Sequence, residues 1–149
     1  FVEFPNDPGS WLIDDQYLFG SDILVAPLFE DVTKRIVYLP KGKWIDYQTN
    51  KVYEGGWHTI KAGDIPIIML VKDGTILPHI KLAQSTKDMD WNRLELKVFA
   101  ADATKATCKL YVPKDTTLYN LEVVKKGNSF EMVKNPLEGK TKFKISTIN

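Results

Sequence analysis

The sequence has few of the groups that carry catalysis. Its 149 residues include one cysteine and two histidines. Cys108 has no partner for an internal disulfide, and one cysteine does not settle the redox compartment. It lies in the alternating stretch Thr107-Cys108-Lys109-Leu110-Tyr111, which predicts a packed thiol rather than a nucleophile. A zinc site needs three or four clustered ligands, and His58, His79 and Cys108 do not have that spacing. Each histidine is expected to pack or to face solvent. No Gly-x-Ser-x-Gly nucleophile turn occurs, and no phosphate-binding glycine loop. An excess of one charge is also missing. Lys and Arg number 20 and Asp and Glu 19, a net of +1, so nothing points to nucleic acid. No run approaches the roughly 18 apolar residues of a membrane-spanning helix, and the N-terminus does not have the form of a signal peptide. Localisation therefore has no marker in the sequence. Helical periodicity of useful length, internal repeats and low-complexity tracts are absent too.

What is present is the composition of a globular chain, 44% hydrophobic and 26% charged. The length suits one ordinary domain or two small ones, with roughly 68–70% of the unfolded surface buried. It is too short for a (β/α)₈ barrel, which takes about 250 residues.

The dominant pattern has a period of two. Residues 1–13 carry turn chemistry in Pro5-Asn6-Asp7-Pro8-Gly9-Ser10. Asp14 or Asp15 is placed to cap a short helix running through Phe19, with Gly20 at its end. Ile23 to Ala26 reads as a strand buried on both faces. Ile36 to Leu39 and Trp44 to Tyr47 read as strands separated by a Lys41-Gly42 turn. Gln48 to Lys51 makes the next turn. Val52 to Glu54 and Trp57 to Ile60 flank Gly55-Gly56. Ile65 to Val71 is the most hydrophobic strand, and Pro66 belongs at its start or on an edge. Asp73-Gly74 turns into Thr75-Ile76-Leu77-Pro78. Residues 83–91 are polar and unpatterned and mark a domain boundary. Beyond it Leu94, Leu96 and Val98 alternate with charged residues. Thr107 to Val112, Leu118 to Val124 and Phe130 to Val133 read as strands, and Phe143 with Ile145 marks a half-buried one. The predicted fold is all-β, an antiparallel β-sandwich in one or more domains with a short N-terminal helical segment.

Adjacent acids occur at Asp14-Asp15, at Glu30-Asp31, and at Asp88 with Asp90. A glycosidase pair must face across the scissile bond, about 5–5.5 Å apart for retention or 6.5–9.5 Å for inversion. Neighbours in sequence do not provide that, so these read as caps and solvated loops. Trp11, Trp44, Trp57 and Trp91, with Tyr47 and Tyr53, offer flat faces for sugars or for a core, and their strand positions favour packing.

One set of strings is more specific. Phe4-Pro5-Asn6-Asp7 is followed by Asp14-Asp15-Gln16-Tyr17-Leu18-Phe19-Gly20-Ser21-Asp22-Ile23-Leu24-Val25-Ala26-Pro27. Tyr38-Leu39-Pro40 and Gly42-Lys43-Trp44 come next, then Asn50 through Trp57, Pro66-Ile67-Ile68 and Ile76-Leu77-Pro78. In order and spacing these resemble the C-terminal region of glycoside hydrolase family 31, the α-glucosidase and α-xylosidase family. Residues 92–149 match more loosely. Where many α-glucosidases of the family carry an acidic Leu-Tyr-Glu-Asp-Asp-Gly segment, this chain has Leu110-Tyr111-Val112-Pro113-Lys114-Asp115, which leans towards the α-xylosidase-like branch.

The resemblance implies residues 1–20 as the end of a catalytic (β/α)₈ barrel, 21–84 as a proximal C-terminal β-sandwich, and 85–149 as a distal β-domain. It implies a parent that hydrolyses α-linked glucosides or xylosides with retention, using two aspartates upstream of Phe1. The start at Phe1 rather than methionine fits an excised segment. No catalytic, cofactor-binding or metal-binding residue is carried over, and no cofactor is implied. Asp7, Asp14 and Asp15 match family positions that look structural. The partners implied are the parent's barrel and its α-linked oligosaccharide or glycoside substrate, with neither nucleic acid nor membrane, and with room for a homo-oligomer of the parent. Two other readings stand beside this one: a carbohydrate-binding module using exposed tryptophans, and a structural module for subunit assembly.

Overall fold

The computed structural model of the chain describes residues 3–113 and 115–148. Phe1, Val2, Lys114 and Asn149 lie outside them, the lysine being part of the Leu110–Asp115 string. The regular structure is almost entirely extended, as the period-two pattern predicts. The strands are β1 Tyr17–Phe19, β2 Ile23–Pro27, β3 Lys34–Asp46, β4 Val52–Lys61, β5 Ile67–Lys72, β6 Thr75–His79, β7 Arg93–Phe99, β8 Lys105–Tyr111, β9 Leu118–Lys126, β10 Ser129–Lys134 and β11 Lys142–Ile148. Two short 3₁₀ helices, Pro8–Leu12 and Thr86–Asp88, complete it.

The chain divides into two compact units, Phe1–Asp73 and Gly74–Asn149. The division falls at the Asp73-Gly74 turn, not in the polar stretch 83–91. The reason lies in the pairing: β6 runs antiparallel to β7 over its whole length and meets β8 in parallel at Thr107. Thr75 to Pro78 therefore belongs to the second sheet.

In the first unit the sheet order is β1-β2-β5-β3-β4, all antiparallel. Leu24, Ala26, Val37, Leu39, Trp44, Ile60, Ile68 and Leu70 form its core. Trp44 is fully covered, and its indole N–H donates to the Pro40 carbonyl at 2.9 Å, so no polar atom is stranded. Leu24, Val25 and Ala26 are all buried, as a strand covered on both faces requires. Asp46, itself buried, accepts from the amides of Gln48 and Thr49 at 2.8 Å each and fixes the β3–β4 turn.

Two local expectations give way. Residues 14–19 do not form a helix. Tyr17–Phe19 is a strand, with Tyr17 opposite Val25 and Phe19 opposite Ile23. Its period-two alternation matches the sheet, and the segment is too short for helical packing to compete. The helical turn lies earlier, at Pro8–Leu12, where the Asp7 carboxylate caps the Gly9 amide at 3.1 Å and Pro8 begins the turn. Lys41-Gly42 is not a hairpin turn either. β3 runs on to Asp46, and its register against β4 shifts between Leu39 and Lys43, leaving residues 40–42 opposite Gly55 alone. A β-carbon on Gly55 would sit 2.9 Å from the Lys41 α-carbon, so the bulge needs glycine there.

In the second unit the order is β10-β9-β8-β6-β7-β11. Most pairs are antiparallel, but β11 lies parallel to β7, with Phe143 beside Leu94 and Ile145 beside Leu96. Leu94, Leu96, Val98, Ala106, Leu110, Leu121, Val123 and Phe130 build the core, each inward position alternating with an outward one.

Candidate functional site

The N-terminal segment is fastened along β3 by side chains. β3 pairs with β5 only over Trp44–Asp46. Upstream, the Gln16 carboxamide bonds the backbone of Tyr38, donating to its carbonyl at 2.6 Å and accepting from its amide at 3.1 Å. Arg35 pairs with the Asp15 carboxylate and donates to the carbonyls of Asp15 and Pro27 at 2.8 Å each. The guanidinium also lies 5.8 Å from the Phe29 ring centroid. The Tyr38 hydroxyl donates to Asp7 at 2.5 Å.

Tyr38 also forms one wall of a groove of about 540 Å³ in the first unit, lined by Asn6, Asp7, Pro8, Leu39, Lys41, Gly42, Glu54, Gly55 and Gly56. Beside it the Trp57 ring, 59% exposed, stands 5.0 Å from the Tyr38 ring at 54°. Gly9 packs so closely on the Tyr38 ring that an added β-carbon would lie 2.4 Å from it. The hydrogen bond to Asp7, then burial and the Asp7 charge, raise the Tyr38 pKa above its ordinary 10.0. Glu54 is paired with Lys43 at 3.2 Å. Both carboxylates at this groove already have partners. The groove presents an aromatic face and polar groups.

The residues singled out from the sequence are spread over turns, strands, the two cores and the exposed surface. His58 bonds the Glu54 carbonyl at 2.7 Å and meets the Tyr53 ring edge-on at 5.4 Å. Tyr53 is half-buried; burial first, then the Asp46 charge, raise its pKa above 10.0. Tyr47 is half-buried, its amide donating to Met69. His79 bonds the Leu77 carbonyl at 2.9 Å. Cys108 is half-buried against the second core. Asp14, Glu30 and Asp31 are exposed, and Asp88 lies in the second 3₁₀ helix. Asp90 accepts from the Asn92 amide at 3.1 Å. Of the tryptophans, Trp44 is core and Trp91 packs against the second core, while Trp11 and Trp57 are exposed. Among the described residues no three His, Cys, Asp or Glu side chains cluster as metal ligands. Sequence reasoning missed Tyr38 and Gln16. Gly9, which packs on the Tyr38 ring, was the available signal for Tyr38.

Residues 1–77 match the model of the glycosyl hydrolase family 31 C-terminal domain. The chain belongs to that family. Its relatives include an α-glucosidase 2 of Bacillus thermoamyloliquefaciens, 34% identical over 113 residues, covering 74% of this chain and 14% of the relative. The α-xylosidase XylQ of Lactiplantibacillus pentosus is 36% identical over 99 residues, 60% of this chain and 13% of that one. Among solved structures, a family 31 α-xylosidase from Xanthomonas citri superposes with a TM-score of 0.74 at 26% identity, over 99% of this chain and 18% of that one. This family 31 domain thus spans about one seventh of the curated relatives it matches.

Proposed function

We propose that the chain is the non-catalytic C-terminal β-module of a retaining family 31 α-glycoside hydrolase, acting on an α-linked glucoside or xyloside, and that it stabilises the parent's catalytic (β/α)₈ barrel. One observation carries this reading. Trp11, Leu12, Tyr17 and Phe19 are 62%, 82%, 55% and 70% exposed, while Asp7, Asp15 and Gln16 of the same segment are bonded to β3. The segment is held in place with its large apolar side chains uncovered. Such a cluster calls for a partner surface. Covering two or three of them contributes about 1.5–3 kcal/mol each. The names of the relatives, α-glucosidase and α-xylosidase, support this substrate class, and this chain matches only a small part of each.

The carboxylates support the non-catalytic role. Asp7 and Asp46 cap turns, and Asp15 and Glu54 sit in ion pairs. Incubating the 149-residue chain with p-nitrophenyl α-glucoside and α-xyloside tests the point. Release of nitrophenol at the buffer rate is expected, and sustained turnover contradicts the reading.

Trp57 favours a second reading, a carbohydrate-binding module. Its exposed ring beside the Tyr38 groove is placed to stack on a sugar. Saturable quenching of tryptophan fluorescence by a malto-oligosaccharide, lost in Trp57→Ala, would select it.

A further inference from the structure

The two units carry opposite charge. Phe1–Asp73 holds 7 Lys and Arg against 11 Asp and Glu, a net of −4. Gly74–Asn149 holds 13 against 8, a net of +5. The near-neutral total conceals this division. Within the second unit the positive charge gathers at a groove of about 470 Å³ between the ends of β6, β7 and β11. Lys81, Arg93, Lys142 and Lys144 line it, with Glu95 the one acid among the described residues of its wall.

The sheet register makes this cluster. β11 runs parallel to β7, so Lys142 lies beside Arg93 and Lys144 beside Glu95. Side chains two residues apart on a strand share a face, about 7 Å apart. Lys142 and Lys144 therefore repeat along the groove, with Arg93 beside the first of them. Glu95 is occupied: Ser146 donates to it at 2.9 Å and Lys144 approaches at 3.8 Å. The Arg93 pairing with Asp90 is long, at 3.7 Å, and Arg93 stays exposed. Lys81 and Lys142 have no carboxylate partner among the described residues. Ile80, Leu94 and Phe143 line the groove as well, Leu94 and Phe143 from the core-facing side of their strands.

We propose that this groove binds an anionic oligosaccharide, a glycan bearing carboxylates along its length. Spaced cations match spaced carboxylates, and charge-assisted hydrogen bonds from lysine and arginine supply the attraction. The site lies wholly in the second unit and does not depend on the docking role of Tyr17 and Phe19.

Calorimetric titration of the 149-residue chain with an oligogalacturonate tests it, alongside a malto-oligosaccharide of equal length, sodium sulfate and a single-stranded oligodeoxynucleotide. The oligogalacturonate is expected to bind, more weakly as sodium chloride rises. Lys81→Glu/Lys142→Glu should weaken binding by about tenfold, since attraction is replaced by like-charge repulsion. Lys34→Glu/Lys61→Glu makes the same change in net charge on exposed positions of the first unit and should bind as wild type. Thermal melts of both variants should match the wild type. Absence of oligogalacturonate binding overturns the proposal, as does equal loss in the two double variants. Equally tight binding of the neutral sugar, of free sulfate or of the oligonucleotide overturns it too.

Discussion

The Gln16 side chain stands in for a neighbouring strand at Tyr38. Its Nε2 donates to the Tyr38 carbonyl at 2.6 Å and its Oε1 accepts from the Tyr38 amide at 3.1 Å, across 22 residues of sequence. A β-edge would otherwise leave both groups to solvent. Here they fasten the apolar N-terminal segment to the sheet.

Gln16→Leu removes both bonds. At a net of about 0.5–1.5 kcal/mol each, the loss should be about 1–3 kcal/mol, and Tm should fall by at least about 4 °C. Gln16→Asn keeps the amide but shortens its reach, so it should behave like the leucine variant. Thermal melts of the three proteins check this.

Tyr38 gives a pH signature. Its folded pKa is raised above 10.0, by the Asp7 hydrogen bond first. For an acid shifted upward, the folded state holds its proton more tightly. The stabilisation is fully present below pH 10.0 and is lost as pH rises through the folded value. Tyr38→Phe should lose about 1 kcal/mol near neutrality and lack that alkaline decline. Urea unfolding from about pH 9 to about pH 11 separates the two.

Asp115 works in the opposite direction. Hydrogen bonds from Tyr119 and Thr117 lower its pKa from 3.8 to about 2; burial opposes them, and the Lys140 charge adds the least. Its contribution is present above pH 3.8 and is lost as pH falls towards about 2. Asp115→Asn should flatten that part of the acid unfolding curve, followed by circular dichroism at constant ionic strength.

Gly9→Ala should disturb the same wall of the first-unit groove. The new methyl would lie 2.4 Å from the Tyr38 ring, so the ring or the 3₁₀ turn must move. An overpacking cost of about 1–3 kcal/mol is expected. In Tyr38→Ala, which removes the ring, the added cost of Gly9→Ala should vanish, and a double-mutant cycle measures that coupling.

Much of this architecture was legible in the sequence because period-two burial is local. Leu94, Leu96 and Val98 point inward as their alternation predicts. Pro66 stands immediately ahead of β5, where a missing amide hydrogen costs nothing. What misled was chemistry that serves two structures. Asp14-Asp15 before Leu18 and Gly20 after it read as a helix cap and stop, but pairing with Ile23–Val25 makes a strand. Gly42 reads as a turn yet sits in a bulge inside one long strand. The parallel β7–β11 pair joins residues about fifty apart, and no local pattern records such a register. The candidate site was less legible still. Trp44 and Trp57 look alike in sequence, but only the covered face of the sheet makes one core and leaves the other exposed.

On the proposed function, Tyr17 and Phe19 are covered by the parent's catalytic barrel. The most direct measurement is a paired melt of Tyr17→Ala/Phe19→Ala, once in the 149-residue chain and once in the proposed full-length parent. Exposed in the isolated chain at 55% and 70%, both side chains should be nearly silent there, within about 0.5 kcal/mol. Joined to the barrel, the same change should lower Tm by several degrees, about 1.5–3 kcal/mol per side chain newly uncovered. Equal effects in the two settings would contradict the account.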